Sequence, residues 1–320
     1  MAVIAPGAGV LLTGGSGFVG GAIGRALVAG GYSLRLAGRT PGPPSVQNGA
    51  AAFHSIGDLR GPVDWAAALE GAEAVVHAAG APRQPAGMDE AGLFAVNAEA
   101  VDRLARAAAR AGVRKFILIS SVRALCGPVS ADVLTEASPP RPEDTYGRSK
   151  LAGEEAALAA GVLTLVLRPV VVHGAGAGDN FGALARLAAG PLPLPFAGVG
   201  GRRSIVSDVN LADAVRFCLA RDFGPSRRLL VADAEPLTIA QICALMRRAL
   251  GRRPGLFAPP AAPMRVAFRL LGKEAAWRRF AGDLVVSCAG LEAEGWVRPE
   301  PSEVGIARMM RRGAGGADNG

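Results

Sequence analysis

Short apolar runs alternate with stretches of helical periodicity along the first half of the chain. Several runs are rich in β-branched residues and lack polar alternation, which is typical of strands buried on both faces. The runs predict strands at 10–13, 33–37, 51–56, 74–78, 115–120 and 162–167. Apolar residues at helical spacing predict helices at 18–29, 64–70, 89–111 and 144–159. Repeated strand–helix units with right-handed crossovers predict an α/β fold with a doubly wound parallel sheet.

The pattern becomes irregular after about residue 172. Gly/Pro-rich loops at 174–179 and 190–201 flank a short predicted helix at 181–189. A helical run at 208–221 and the strand-like residues 229–231 are expected to return to the main sheet. Thr238 is predicted to cap a helix that ends at Leu250.

Two parts and a tail follow from this pattern. Residues 1–172 are predicted to form a Rossmann domain, to which 205–233 return. Residues 173–204 and 234–310 are predicted to form a smaller, mostly helical part. The tail at 311–320 has nothing to bury and is expected to be disordered.

Composition places the chain among globular proteins. Half of its 320 residues are hydrophobic, and no apolar run reaches the length of roughly 18 residues that a membrane-spanning helix needs. Residues 1–9 carry no basic residue ahead of their apolar part, so no signal peptide is expected. The four cysteines are widely scattered, which favours reduced, buried thiols and a cytoplasmic location and gives no metal-like spacing.

The net charge of +8 raises the question of a nucleic-acid partner. All but three of the 35 basic residues are arginines, and several of these form scattered pairs without the interleaved aromatic residues of a stacking surface. We therefore expect a solvated surface with a few phosphate contacts and no nucleic-acid binding.

A glycine-rich turn follows the first predicted strand. Gly14, Gly17 and Gly20 have the spacing G-x-x-G-x-x-G at the start of the first predicted helix. Such glycines allow a tight turn, close approach to a diphosphate and close packing of helix on strand. The helix N-terminus then faces the anion. The spacing predicts a dinucleotide site, although it is weak evidence by itself in a chain with 44 glycines.

Two further signals fall at the carboxyl edge of the predicted sheet. Tyr146 and Lys150 are four residues apart on a predicted helix and so share one face, where the lysine cation would favour the phenolate of a general base. The chain has only two tyrosines, which makes this spacing less easily accidental. Ser120 and Ser121 end the predicted strand at 115–120, where a hydroxyl can bind a substrate oxygen.

These motifs together resemble the extended short-chain dehydrogenase/reductase family, in its NAD-dependent epimerase/dehydratase branch that acts on nucleotide sugars. The resemblance covers roughly residues 9–305. The motifs that carry it are TGGSGFVG at 13–20, GDL at 57–59, HAAG at 77–80, Asn97, ISS at 119–121, YGRSK at 146–150, LRP at 167–169, RRSIVSDVNLADAV at 202–215 and EGWVRP at 294–299.

The resemblance implies a role for individual residues. Tyr146 would be the acid/base, Lys150 would lower its pKa and bind the cofactor ribose, and Ser121 would hydrogen-bond the substrate. The cofactor, NAD or NADP, would be held by Gly14, Gly17, Phe18, Val19, Asp58, Leu59, Ala78, Ala79, Gly80, Asn97 and Pro169, together with Tyr146 and Lys150. Asn180 and Arg203 would contact the diphosphate of the substrate, the arginine through forked donors.

Three departures from the family pattern bear on these expectations. Arg39 stands where NAD-preferring members place an acid, so it either pairs with a 2′-phosphate, which favours NADP, or lies in a solvated loop. Cys126 and His173 precede glycines where many sugar-modifying relatives have tyrosine, which affects the expected sugar contacts. The segment from Ser121 to Gly127 is one residue longer than in many relatives, which leaves Ser120 as the alternative serine.

The expected function is NAD(P)-dependent epimerisation or ketone reduction at the 4-position of a nucleoside-diphosphate sugar. Dehydration is disfavoured because Val122 and Arg123 stand where dehydratases carry Asp-Glu. The alternatives are an NADPH-dependent reductase of a non-sugar carbonyl compound and a non-catalytic dinucleotide-binding protein. The resemblance also implies a homodimer formed through 89–111 and 144–159. A basic amphipathic segment at 261–281 is expected to pack on the protein more readily than on a membrane.

Overall fold

A computed structural model describes residues 3–40, 49–82, 87–260, 265, 268–270, 272 and 274–315, without the side chains at 179–180, 275–276 and 312–315. Seven parallel strands form the central sheet in the order β10-β6-β5-β4-β1-β2-β3. They are β1 (Gly9–Thr13), β2 (Ser33–Gly38), β3 (Ala50–Ser55), β4 (Ala74–His77), β5 (Lys115–Ile119), β6 (Thr164–Pro169) and β10 (Arg227–Val231). The predicted doubly wound parallel sheet is confirmed.

The predicted return of the chain to this sheet is also observed. Strand β10 pairs in parallel with β6, and Val231 is opposite Pro169. Strand β6 lies two residues further along the chain than the predicted 162–167, because Val162 is buried in the core beside the strand rather than paired in it. Two small pairs flank the sheet: β7 (Val171–His173) with β9 (Ile205–Ser207), and β8 (Arg202–Arg203) with β11 (Leu237–Thr238).

Helices cover both faces of the sheet and build the second part. In chain order they are Phe18–Ala29, Ala66–Leu69, Glu90–Phe94, Ala100–Arg110, Thr145–Leu158, Asp179–Ala189, Asp208–Ala220, Ile239–Ala249, Glu274–Ala281, Ala289–Glu292 and Ser302–Gly315. The predicted helix at 89–111 is interrupted by a π-helical turn, Ala95–Glu99, and the one at 64–70 is a single turn.

Successive residues of the central strands point into two different apolar layers. One layer takes Val10 and Leu12 of β1, whereas Leu11 enters the other layer. In β5, Ile117 joins the first layer and Phe116 the second. Because both faces are buried, these strands appear in the sequence as unbroken apolar runs.

A third apolar layer holds the later part of the chain together. Phe181, Phe196, Ile239 and Ile306 are all buried in it. The helix Ser302–Gly315 contributes Ile306 and extends into the stretch 311–320, which we expected to be disordered. Burial of Met309 and Met310 in the same layer explains why this helix persists, and 316–320 lie outside the described residues.

Candidate active site and cofactor cleft

The glycine-rich turn after β1 is held by close backbone contacts. Gly14 has a φ of 75°, and a Cβ there would lie 2.5 Å from Ala79 N. A Cβ on Gly20 would lie 2.0 Å from Gly14 O, because the first turn of the helix packs directly on the loop. The N–H of Gly17 donates to Gly14 O at 3.0 Å and precedes the helix Phe18–Ala29. The sequence therefore builds an open backbone cradle at the amino end of a helix.

This cradle forms one end of a cavity of about 540 Å³ at the carboxyl edge of the sheet. Eight of the residues predicted to bind cofactor line it: Gly14, Gly17, Arg39, Asp58, Leu59, Ala78, Ala79 and Gly80. Phe18 and Val19 begin the adjoining helix, and Pro169 ends β6. The structure thus brings together residues that are far apart in sequence.

The charged part of the cavity wall contains an arginine that the sequence did not single out. Arg60 pairs with Asp58 through Nη2 and Oδ2 at 2.6 Å, and Nε donates to the same oxygen at 2.9 Å. This pairing, with a smaller contribution from Arg39, lowers the pKa of Asp58 to about 2. Arg39 is exposed at the same wall. The described part of this wall therefore carries two guanidinium groups and one carboxylate.

Asn97 connects the cavity to the helix that carries Tyr146. Its Oδ1 accepts from Ala81 N at 3.0 Å, and its Nδ2 donates to Ser149 Oγ at 3.1 Å. Ser149 Oγ donates in turn to Tyr146 O at 2.9 Å. The π-helical turn at Ala95–Glu99 holds this side chain, and such turns occur frequently at functional sites.

Lys150 is buried against the cavity. Its Nζ donates to Ile119 O at 3.2 Å, at the end of β5, and a Cβ on Gly80 would lie 3.1 Å from this nitrogen. Burial lowers the pKa of Lys150 to about 8, although nearby Glu154 acts in the opposite direction. The ammonium group therefore stands beside a glycine of the cavity wall.

Burial is the main influence on the pKa of Tyr146. Burial raises this pKa, and so does the charge of Asp144, whereas a hydrogen bond with Ser121 and the charge of Arg123 lower it. Lys150, whose Nζ donates to Ile119 O, is not among the groups that shift this pKa. That Lys150 lowers the pKa of Tyr146 stays a prediction.

The two candidate serines have different surroundings. Ser121 Oγ accepts from Arg123 N at 3.2 Å and also contacts the phenol of Tyr146. Ser120 Oγ donates to the buried carboxylate of Glu154 at 2.5 Å. Only Ser121 is therefore directed towards Tyr146, and the alternative of Ser120 loses its support.

Two cavities adjoin these candidate catalytic residues. One of about 360 Å³ contains Tyr146 in its wall, and one of about 240 Å³ contains Ser121. Apart from Ser121 and three arginines, the residues that the structure describes in the wall of the Ser121 cavity are apolar: Val122, Pro128, Val170, Val171, Phe181, Leu184, Ile205, Ile239, Ile242, Phe280 and Leu284.

Of the two predicted substrate ligands, Arg203 and Asn180, only Arg203 has a side chain that the structure describes. Arg203 lines the Ser121 cavity, but its guanidinium donates to the carbonyl oxygens of Pro128, Arg279 and Gly282 at 3.0, 2.7 and 3.3 Å. Asn180 lies in the helix Asp179–Ala189, with its side chain outside the described part of the chain. The role of both residues stays a prediction.

The amphipathic segment at 261–281 is only partly described. Phe280 lies 6.1 Å from Phe196, ring centre to ring centre, and lines the Ser121 cavity. This end of the segment therefore packs on the protein, as expected, whereas Leu270 is 82% exposed. Among the described residues, no helix is both long and apolar enough to cross a membrane.

The cysteines follow the sequence-based expectation. Cys126, Cys218, Cys243 and Cys288 are buried free thiols. In the described ranges, no group of three or more His, Cys, Asp and Glu side chains has the arrangement of a metal site.

The sequence model of the NAD dependent epimerase/dehydratase family matches residues 10–223. The chain therefore belongs to this family. It is 28% identical to UDP-glucose 4-epimerase of Vibrio cholerae over 94% of each chain. It is 33% identical to ceramide reductase of Caulobacter vibrioides over 65% of this chain and 60% of the relative. The structure of MoeE5 in complex with UDP-glucose and NAD has a TM-score of 0.75 at 22% identity, covering 98% of this chain and 100% of that one.

Proposed function

We propose that the protein is an NAD(P)-dependent enzyme that acts at the 4-position of a nucleoside-diphosphate sugar. The observation that carries this proposal is the position of Lys150, whose Nζ lies beside Gly80 in the wall of the cavity that begins at the glycine-rich turn. Tyr146, one helical turn before Lys150, contacts Ser121. The glycine cradle, which a Cβ at position 14 or 20 would fill, suits a cofactor diphosphate. Relatives named for nucleotide sugars support the substrate class.

The chain's own side chains then have distinct tasks. Tyr146 takes or returns the proton of the sugar hydroxyl, and Ser121 hydrogen-bonds the same oxygen. Lys150 holds the ribose of the cofactor and provides positive charge near the phenol. When bound, the nicotinamide cofactor supplies the acceptor and donor of hydride. Asn97 keeps the tyrosine helix and the cavity wall in register through Ser149 and Ala81.

Epimerisation and ketone reduction use this same set of residues. In epimerisation the keto sugar is held while hydride returns to its other face, so the cofactor stays bound. In reduction a keto sugar enters and NADPH is replaced after each turnover. Mass spectrometry of the purified protein separates them: retained NAD supports epimerisation, and an empty site that fills with NADPH supports reduction.

A second candidate function is the reduction of an apolar, non-sugar ketone. The apolar walls of the Ser121 cavity favour it, and so does the engagement of Arg203 with three carbonyl oxygens. The relative named ceramide reductase agrees with it. Turnover assays with 4-keto nucleotide sugars and with long-chain ketones, each with NADPH, decide between the two.

We expect Arg39 to favour NADP. Its guanidinium faces the cavity beside Arg60, where a 2′-phosphate would be attracted. Arg39→Gln is expected to raise the Kd for NADPH by about 10-fold or more, because one charge-assisted hydrogen bond is lost. The Kd for NADH is expected to stay nearly unchanged. Isothermal titration of both cofactors checks this, with Arg106→Gln, which is outside the wall of the cavity, as the control. An unchanged Kd for both cofactors would instead place Arg39 in a solvated loop without a phosphate role, and equal losses for both would assign it a contact that NADPH and NADH share.

A further inference from the structure

Arg123 lines the cavities of both candidate catalytic side chains and has no role in the scheme above. Its backbone N–H donates to Ser121 Oγ at 3.2 Å. Its Nη2 donates to Asp144 Oδ2 at 2.7 Å, and Asp144 Oδ1 accepts from Gly147 N at the start of the helix that carries Tyr146. Arg123 is thus fixed to the serine at one end and to the tyrosine helix at the other.

The guanidinium of Arg123 has unused donors. The residue lines both the Tyr146 cavity and the Ser121 cavity. Its side chain is 14% exposed, and its Nε and Nη1 are buried without a hydrogen-bond partner in the described part of the chain. A buried donor without an acceptor is costly, so an acceptor from a ligand would be stabilising there.

The charges around Arg123 favour an anion. Among the described residues, three arginines line the Ser121 cavity, namely Arg123, Arg203 and Arg279, and none of the described residues in its wall is acidic. Burial, and then the charge of Arg123, lowers the pKa of Arg203, which indicates that the two guanidinium groups repel each other. On the side of the Tyr146 cavity, Glu143 and Asp144 supply acidic groups. An anion on the serine side would offset the repulsion.

The position of Arg123 indicates which anion it meets. If Tyr146 and Ser121 act on the oxygen at C4 of a hexose, the diphosphate on C1 lies across the sugar ring from them. The substituent next to C4 is C6, carried by C5. A carboxylate at C6 is therefore the anionic group of a nucleotide sugar that comes closest to an arginine that lines the cavities of both the tyrosine and the serine.

We propose that Arg123 binds the C6 carboxylate of the substrate, so that the preferred substrate is a nucleotide hexuronic acid. This inference rests on the proposed action at the sugar 4-position and adds its substrate class. Arginine suits a carboxylate because its planar group presents several donors to the two carboxylate oxygens. Asp144 holds the side chain in place, and Nε and Nη1 have no acceptor within the described part of the chain.

The test compares UDP-glucuronic acid with UDP-glucose in the wild type, Arg123→Gln and Arg123→Lys. The wild type is expected to favour the acid in kcat/KM, and Arg123→Gln to raise KM for the acid by about 10-fold or more. KM for UDP-glucose is expected to stay nearly constant, and Arg123→Lys to recover part of the loss. Arg216→Gln, which breaks a surface pair with Asp213, is the matched control and should change neither KM.

The outcomes separate this inference from the function on which it rests. Two results overturn the carboxylate assignment and leave the proposed function intact. One is turnover of UDP-glucose with a kcat/KM equal to that for the acid, and the other is an equal rise in KM for both substrates in Arg123→Gln. Failure to turn over any nucleotide sugar overturns both. Calorimetric titration of each UDP-sugar into the cofactor-loaded protein gives a second readout, in which Arg123→Gln must weaken binding of the acid alone.

Discussion

Replacement of Tyr146 by phenylalanine is expected to lower kcat by about 10²- to 10⁴-fold, the usual contribution of a general acid/base. The hydroxyl removed contacts Ser121 and is the proposed proton carrier. The ring remains, so the change in KM and in stability is expected to be small. Steady-state turnover of a nucleotide sugar measures the loss.

The chain supplies a matched control for this substitution in its only other tyrosine, Tyr32. Its hydroxyl donates to Ile4 O at 3.2 Å, away from the cavities. Tyr32→Phe is expected to lose about 1 kcal/mol of stability and no activity. A Tyr146→Phe enzyme as active as the parent would support instead the view that this chain binds a dinucleotide without catalysis.

Replacement of Arg168 by leucine is expected to lower the free energy of unfolding by about 3–5 kcal/mol, because it leaves a buried carboxylate with too few partners. Arg168 and Glu154 are 1% and 0% exposed, and Nη2 lies 2.6 Å from Oε2. Glu154 also accepts from Ser120 and Arg228. Urea unfolding followed by circular dichroism measures the change.

An exposed ion pair provides the comparison for Arg168. Arg106 pairs with Asp102 at 2.8 Å on the surface of a helix, and Arg106→Leu is expected to cost about 0–1 kcal/mol. Removing both buried partners, in Arg168→Leu with Glu154→Leu, is expected to cost less than Arg168→Leu alone. Equal losses for the buried and the exposed single variants would contradict the role of the buried cluster.

The inner strands of the sheet were predictable because they are buried on both faces. Runs such as 115–120 carry apolar residues at successive positions, and each neighbouring pair enters a different layer. The shared face of Tyr146 and Lys150 was also predictable, since residues four positions apart on a helix lie on the same side of it. These features depend on local sequence alone.

Other features of the site depend on residues that only the fold brings together. Ser120 and Ser121 are indistinguishable in sequence, and the carboxylate of Glu154 decides which of them faces Tyr146. The bridge from Asn97 to Ser149 spans 52 positions, and no periodicity indicates it. The sequence drew attention to Arg123 only because it stands where dehydratases carry an acidic residue. The structure shows that it contacts Ser121 and Asp144.

The most direct test of the account follows deuterium from position 4 of the sugar. In a single turnover, UDP-glucuronic acid and UDP-glucose labelled there with deuterium are each mixed with the protein loaded with NAD⁺ or NADP⁺. Mass spectrometry is expected to find the label on the nicotinamide or back at position 4 of the epimer, and the transfer is expected to fall steeply in Tyr146→Phe. Release of the label to water, or no transfer from either sugar with either cofactor, would contradict hydride chemistry at this position.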